Sequence, residues 1–200
     1  RVNILQPGCG VGGHCIAVDP WFLIESFPLQ TSLLKSARAI NDARPKEVVK
    51  EIMTMTARWR GAEGHEKQKP SVLLLGMTYK PDVDDLRESP SLAIARDLHA
   101  YAESMNVLVA EPHVTSAQLS ALQPAPVIDY IEGIVSADIV VFLIKHSLFK
   151  MVAPGMLAGK MVIDVCGIVK EIQVQQVADS ADVVRAHSSL VGRKPLQVSL

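Results

Sequence analysis

The sequence predicts an α/β protein in which a helical segment precedes a parallel sheet, and three observations support this. Apolar residues recur at helical spacing between residues 29 and 59. A polar stretch with two glycines and a closing proline follows at residues 60–70, which is typical of a linker. From residue 71 onward, runs of β-branched and aliphatic residues alternate with helical patterns, as in parallel sheets covered by helices on both faces.

The segment before the linker begins with a loop and continues as helix. Residues 7–13 predict a loop, because their four glycines weaken any regular element. The residues that follow make a poor helix start, and we expect Pro20 to break a helix there. Trp21 and Phe22 are expected to anchor the core. Pro45 interrupts the long helical pattern and is expected either to kink one helix or to begin a second.

The region after the linker predicts strands and helices in alternation. Ser71–Leu75 predicts the first strand, and a long loop follows it. Ser89 followed by Pro90 is typical of a helix N-cap with proline at the first helical position, so a helix is predicted from there to residue 103. Further strands are predicted at residues 107–109, 137–144 and 161–165. Short helices are predicted at residues 115–122 and 175–185, and a short helix or a turn at 152–157.

The composition excludes several classes of protein. Apolar residues make up 48% of the 200 residues and charged residues 20%, which argues against a disordered chain. The net charge of −1 gives no field that would gather nucleic acid or an anionic membrane. No apolar run reaches the length of about 18 residues that a membrane span needs. No secretory signal is visible and three cysteines are too few for a disulfide framework, so we expect a reducing cytoplasm.

The glycine-rich loop has the spelling of a dinucleotide-binding fingerprint, with Gly8, Gly10 and Gly13 at the required spacing. A true fingerprint needs a strand before it and a helix after it, and the following residues do not favour a helix. Three interpretations therefore stay open: such a fingerprint, a glycine turn without a ligand, or a loop that presents Cys15 beside a bound substrate.

Cys15 is a candidate nucleophile because loop amides and nearby cations can favour its thiolate. The alternative is a small buried hydrophobic residue. A zinc site made by Cys9, His14 and Cys15 is less favoured, because adjacent residues seldom ligate one ion.

Residues 76–90 form the second candidate site. They follow a buried strand and precede a helix, which predicts the carboxyl edge of a parallel sheet, where ligands bind in open α/β folds. Lys80 and Arg87 are cations suited to phosphate oxygens. The alternative is a charged surface loop with local Asp–Arg pairs. His146 follows a predicted strand at this edge, where it could line the same cleft or only cap a helix. Cys166 also follows a predicted strand at this edge, where a cysteine more often serves packing.

Two segments together resemble the UDP-glucose/GDP-mannose dehydrogenase family. They are residues 7–23, PGCGVGGHCIAVDPWFL, and residues 76–90, GMTYKPDVDDLRESP, in the order and at the separation of the family. The resemblance fades after about residue 170. The first segment is most similar to members that act on UDP-N-acetylmannosamine. UDP-glucose, GDP-mannose or a nucleotide-sugar-binding module without catalysis remain alternatives.

The resemblance implies a fold and a reaction. Residues 1–60 would carry the catalytic cysteine loop and a central helix that forms a homodimer. Residues 61–70 would be the linker, and residues 71–200 a Rossmann-like UDP-sugar-binding domain. The family oxidises the C6 alcohol of a nucleotide sugar to a carboxylate with two NAD, through a thiohemiacetal and a thioester on a cysteine.

The same resemblance implies residue roles. Cys15 would be the nucleophile, Asp19 would orient water, and Gly12 would let the backbone approach the sugar. Tyr79 and Lys80 would contact the UDP-sugar.

Two arginines also receive roles from the resemblance. Arg87 would contact the NAD pyrophosphate, and Arg1 would reach the substrate of the neighbouring subunit.

The sequence also departs from the family pattern. No NAD-binding domain precedes the glycine-rich loop, so we expect part of a longer chain that does not turn over by itself. Cys166 stands where the family often has a basic residue that contacts the nucleotide, and Lys170 is a candidate substitute.

Overall fold

The computed structural model of the protein describes residues 6–66, 68–121 and 125–172. Arg1 and the helix predicted at residues 175–185 therefore lie outside the described residues. The helices are α1 (His14–Ser26), α2 (Ser32–Arg60), α3 (Pro90–His99), α4 (Ser116–Ala121) and α5 (Tyr130–Ser136). The strands are β1 (Ser71–Leu75), β2 (Asn106–Ala110), β3 (Ile139–Phe142) and β4 (Met161–Asp164). Two short 3₁₀ helices cover Ser147–Met151 and Pro154–Leu157.

The four strands form one parallel sheet in the order β2-β1-β3-β4. The predicted α/β fold class is thus confirmed. Leu75 at the end of β1 is level with Ala110 of β2 and Phe142 of β3, so the carboxyl ends of these strands share one edge. The strands are almost wholly apolar because both faces are covered. One face packs against α2 and α3, and the other against α5 and the 3₁₀ helices.

Helix α1 begins directly after Gly13 and continues through Pro20 to Ser26, so the prediction that Pro20 would break a helix here was wrong. Proline lacks an N–H, which leaves the carbonyl of Ile16, four residues earlier, without its helical partner. Arg38 of α2 donates from Nη1 to this carbonyl at 3.4 Å. A contact from a distant residue therefore compensates for a poor local sequence.

Helix α2 is a single helix of 29 residues that includes Pro45. Its carboxyl-terminal half buries Val48, Ile52 and Trp59 in the core of the sheet, and residues 61–70 then connect it to β1. Its amino-terminal half contacts α1 and leaves Leu33 83% exposed. None of the helices in the described part of the chain is both long and apolar enough to cross a membrane.

The two aromatic residues expected in the core lie on the outside of α1. Trp21 is 42% exposed and Phe22 is 64% exposed, so this expectation was wrong. The physical reason is that α1 packs against α2 and not on the sheet, so that Ile24 is its one residue classed as buried.

Side chains cap two of the helices, one of which was predicted from the sequence and one of which was not. Ser89 caps α3 as predicted: its hydroxyl accepts from Leu92 N at 3.3 Å and donates to the Met77 carbonyl at 2.7 Å. Helix α5 was not predicted, since its seven residues include a glycine and β-branched residues. Asp129 caps it by accepting from two backbone N–H groups.

Candidate active site

A cavity of about 480 Å³ lies at the carboxyl edge of the sheet. The glycine-rich loop forms one wall, the start of the loop after β1 forms another, and the ends of β3 and β4 close the far side. Its lining residues are Gln6, Pro7, Gly8, Cys9, Gly10, Val11, Gly12, Ile16, Tyr79, Lys80, Pro81, Leu143, Ile144, Lys145 and Cys166. This is the edge at which open α/β folds bind their ligands.

Two glycines bring the predicted sites into contact. A Cβ on Gly12 would lie 2.1 Å from the carbonyl oxygen of Glu88, and one on Gly13 would lie 2.9 Å from the Tyr79 ring. Gly13 also has φ +89°, a conformation that glycine adopts without strain. The loop glycines therefore serve the close packing of one candidate site on the other. The contact with Glu88 occupies the side of Gly12 on which a Cβ would stand.

Helix α2 holds the glycine-rich loop through two polar side chains that the sequence analysis did not single out. Asn41 accepts from Val11 N at 2.7 Å and donates to Val11 O at 3.2 Å. Arg44 donates from Nε to the Gly8 carbonyl at 3.2 Å. The sequence offered one signal for these contacts. Arg38, Asn41 and Arg44 follow one another at a spacing of three residues, which places them along one side of a helix.

Cys15 is exposed in the first turn of α1, outside the residues that line the cavity. Asp19 lies one turn later on the same side of the helix and is also exposed. Neither the zinc nor the buried interpretation fits: Cys15 is exposed, while Cys9 is buried and its sulfur lies 3.2 Å from the Ser91 hydroxyl. Burial raises the pKa of the Cys9 thiol.

Arg87 belongs to the second candidate site and lies close enough to Cys15 of the first for their charges to interact. Its guanidinium donates to both carboxylate oxygens of Asp85, with the shortest contact at 2.6 Å, so a local Asp–Arg pair is present as well. Asp85 raises the pKa of Arg87, and charge interactions with Tyr79 and Cys15 add to this. The same pair lowers the pKa of Asp85 to about 2. The Arg87 side chain is 67% exposed, which leaves it accessible to an anion.

Tyr79 and Lys80 lie together in the cavity wall. The Lys80 ammonium is 5.3 Å from the centre of the Tyr79 ring, a cation–π distance. Tyr79 N donates to the Asp85 carbonyl at 3.1 Å, and Thr78 Oγ1 donates to the Lys80 carbonyl at 2.9 Å. The backbone on both sides of the pair is therefore fixed.

Behind this wall lies a buried polar network that the sequence analysis missed in part. His146 is fully buried, and its Nε2 lies 3.1 Å from Glu111 Oε2. Its Nδ1 accepts from Asp82 N at 3.0 Å, so the proton is on Nε2. Glu111 also accepts from Met77 N at 2.7 Å. The sequence analysis placed His146 at this edge, but no local pattern marked Glu111.

The charges in this network favour an ionised Glu111. Burial would raise its pKa, but hydrogen bonds from His146 and backbone N–H groups outweigh this and lower it. Asp82, His113 and His146 place potential metal-ligating atoms within 4.8 Å of one another. Both ring nitrogens of His146 already have partners, however, so ligation would break the network.

The far side of the cavity carries a thiol and a cation. Cys166 follows β4, and burial together with the nearby Asp164 carboxylate raises its pKa to about 12. Lys145 follows β3 and lines the cavity beside it. Lys170, the expected substitute for a basic residue at position 166, is exposed and does not line the cavity.

Two family models match the chain. The central domain of the UDP-glucose/GDP-mannose dehydrogenase family matches residues 1–43, and the UDP-binding domain of the same family matches residues 73–171. The UDP-N-acetyl-D-mannosamine dehydrogenase of Yersinia pestis is 38% identical over 168 residues, which is 84% of this chain and 40% of the relative. That of Escherichia coli (strain K12) is 39% identical over 170 residues, with the same shares. The chain thus spans about 40% of the length of these relatives.

The chain is also similar to solved structures of UDP-N-acetylmannosamine dehydrogenases. The UDP-N-acetyl-mannosamine dehydrogenase of Staphylococcus aureus matches with a TM-score of 0.61 at 30% identity, over 86% of this chain and 42% of that one. The UDP-D-ManNAc dehydrogenase of Pyrococcus horikoshii matches with a TM-score of 0.64 at 25% identity, over 84% and 38%. Together the two family models match more than half of the sequence, and the chain belongs to the UDP-glucose/GDP-mannose dehydrogenase family.

Proposed function

We propose that the chain carries the catalytic cysteine and the nucleotide-sugar site of an NAD-dependent 6-dehydrogenase that converts UDP-N-acetylmannosamine to the uronate. The observation that carries this proposal is the contact of Gly13 with Tyr79, which places the start of the Cys15 helix beside the cavity. The choice of sugar follows the names of the relatives from Yersinia pestis and Escherichia coli. UDP-glucose and GDP-mannose are the alternative substrates.

The cavity suits the nucleotide part of the substrate. Lys80 supplies a positive charge for phosphate oxygens, and Tyr79 supplies an aromatic surface and a hydroxyl. Gly8, Gly10 and Gly12 line the cavity without side chains, so the sugar can lie against the backbone of the loop.

Cys15 performs the covalent chemistry. Its thiolate forms a carbon–sulfur bond to the C6 aldehyde, whose oxygen takes a proton, and a thiohemiacetal results. Oxidation of this adduct leaves a thioester. Water, oriented by Asp19, then breaks the carbon–sulfur bond and releases the carboxylate and the free thiol. NAD, when bound, accepts a hydride from C6 in each of the two oxidations.

Among the described residues, the exposed guanidinium of Arg87, close to Cys15, suits the pyrophosphate of NAD. This is a single exposed contact. We therefore expect the 200 residues to bind the nucleotide sugar but not to oxidise it.

A homodimer is part of the proposal. Apolar side chains of α1 and the amino-terminal half of α2 are uncovered, among them Phe22, Leu23, Leu33 and Ile40. Burial against a second copy would remove them from water. Arg1 would then reach the substrate of the neighbour. We also propose that the protein works in a reducing cytoplasm, where its three cysteines would stay free.

Calorimetric titration tests the substrate assignment. The chain is titrated with UDP-N-acetylmannosamine, UDP-glucose and GDP-mannose, with Lys80→Ala as the control variant. We expect UDP-N-acetylmannosamine to bind most tightly, and Lys80→Ala to weaken that binding. A folded chain that binds none of the three would contradict the proposal. Tight binding with an inert Cys15 thiol would instead support a nucleotide-sugar-binding module without catalysis.

A further inference from the structure

The charges in the cavity have one sign. Among the described residues that line it, the charged side chains are Lys80 on the near wall and Lys145 on the far wall, and no carboxylate lies between them. A cavity with two lysines and otherwise neutral walls attracts an anion that carries more than one charge. The two phosphates of a nucleoside diphosphate match this arrangement.

Cys166 cannot replace Lys145 as the polar group of the far wall. With a pKa near 12, its thiol stays neutral at physiological pH. Cys9, the other thiol of the lining, is buried and its pKa is raised as well. Lys145 is therefore the cation available at the ends of β3 and β4.

Lys145 is positioned by a carboxylate that it shares. Its ammonium lies 2.8 Å from Glu171 Oε1, and Lys150 lies 3.0 Å from Glu171 Oε2. One carboxylate between two lysines leaves a net positive charge. Glu171 and Lys150 are not among the residues that line the cavity, and the Lys145 side chain is 24% exposed. The ion pair thus holds Lys145 at the cavity without neutralising it.

We propose that Lys145 is a substrate-binding residue that contacts the diphosphate of the nucleotide sugar from the far wall, opposite Lys80. This inference rests on the function proposed above. It assigns to Lys145 the role that the sequence analysis gave to Lys170.

Three matched variants test the assignment. Lys145→Met removes the charge and keeps the apolar stem. Lys150→Met also removes a partner of Glu171 but lies outside the cavity, and Lys170→Met removes the alternative cation. UDP and uridine are titrated into each variant by calorimetry. We expect Lys145→Met to weaken UDP binding about tenfold, as for the loss of one charge-assisted hydrogen bond, and to leave uridine binding unchanged.

The controls separate a charge effect from a loss of structure. Lys150→Met and Lys170→Met should bind UDP within about twofold of the unmodified chain, since a single exposed charge contributes little. Lys145→Arg should retain most of the affinity. Added salt should weaken UDP binding to the unmodified chain more than to Lys145→Met.

The outcomes distinguish this inference from the function on which it rests. If the unmodified chain binds UDP and Lys145→Met binds it equally well, the inference is wrong and the proposed function stands. It is also wrong if Lys170→Met shows the larger loss, or if Lys145→Arg loses as much as Lys145→Met. If the folded, unmodified chain does not bind UDP, both are contradicted.

Discussion

The two loops that form the near side of the cavity are held in different ways. The glycine-rich loop is fixed from the side of α2, by Asn41 and Arg44, which are both partly accessible to solvent. The loop after β1 is fixed from within, by Glu111 and His146, whose side chains are fully buried. Loss of a buried ionic partner affects the whole fold, whereas loss of a surface contact affects mainly the loop. We call Asn41 and Arg44 the surface anchor and Glu111 and His146 the buried anchor. Substitutions in the buried anchor should therefore change mainly the stability of the fold, and substitutions in the surface anchor mainly the position of Cys15.

The largest effect is expected for Glu111→Ala. It leaves the N–H groups of His146 and Met77 without their acceptor in the interior. Each buried donor that is left without its acceptor costs about 1–3 kcal/mol, and two are affected here. Urea denaturation should show this loss, while Glu103→Ala, an exposed carboxylate near Lys69, should leave the midpoint nearly unchanged. Equal stability of the two variants would contradict an anchoring role for Glu111.

The next largest effect is expected for Gly12→Ala. The new methyl group would overlap the Glu88 carbonyl and force the two loops apart. Overpacking costs about 1–3 kcal/mol, and the cavity should lose UDP affinity as well. Gly155→Ala is the matched control, because a Cβ there meets nothing within 4 Å and Gly155 does not line the cavity. The close packing of the loops would be refuted if both variants melted and bound UDP alike.

A smaller effect on stability, with a clear effect on the loop, is expected for Asn41→Ala. The substitution removes both hydrogen bonds to Val11, at a cost of about 1–2 kcal/mol. Because the loop leads into α1, the rate of Cys15 alkylation by iodoacetamide should change. Ser36→Ala is the control on the same helix, since its hydroxyl bonds only to the Ser32 carbonyl. An unchanged Cys15 rate in Asn41→Ala would show that α2 does not position the thiol.

The smallest effect is expected in the pH dependence of the free energy of unfolding, to which Glu111 of the buried anchor should contribute. The pKa of Glu111 is lowered in the folded state from its usual 4.5, so its ionised form stabilises the protein above that pH. This contribution is lost as the pH falls through the lowered value. The stability difference between the unmodified chain and Glu111→Gln should shrink below about pH 4.5. A difference that stays constant from pH 6 to pH 3.5 would contradict it.

The contrast between the anchors also explains what the sequence could predict. Strand β1 matches its prediction residue for residue, because a fully buried strand is a continuous apolar run with clear boundaries. The cap at Ser89 is equally local. Helix α1 was misjudged because its compensation comes from Arg38, 22 residues away.

In the candidate site, too, the sequence could predict local features but not contacts between residues that are far apart in the chain. The sequence placed Gly12, Tyr79 and Lys80 in segments that the fold brings to one cavity. The pairing of Glu111 with His146 spans 35 residues, and no periodicity or motif connects them. Lys145 follows a buried strand without any motif around it, so its place in the cavity emerges only from the sheet order.

The central claim is that Cys15 lies beside the bound nucleotide sugar, and alkylation kinetics test it most directly. The three thiols are measured separately by mass spectrometry, with and without saturating UDP-N-acetylmannosamine. Cys15 is exposed, whereas Cys9 is buried and Cys166 is partly buried, so Cys15 should react fastest. The account predicts that the ligand slows Cys15 alkylation in proportion to its occupancy. Cys9 and Cys166 line the same cavity and react slowly, so a further slowing of these two thiols neither supports nor contradicts the claim. A Cys15 rate that is the same at saturation, in a chain shown by calorimetry to hold the ligand, would contradict it.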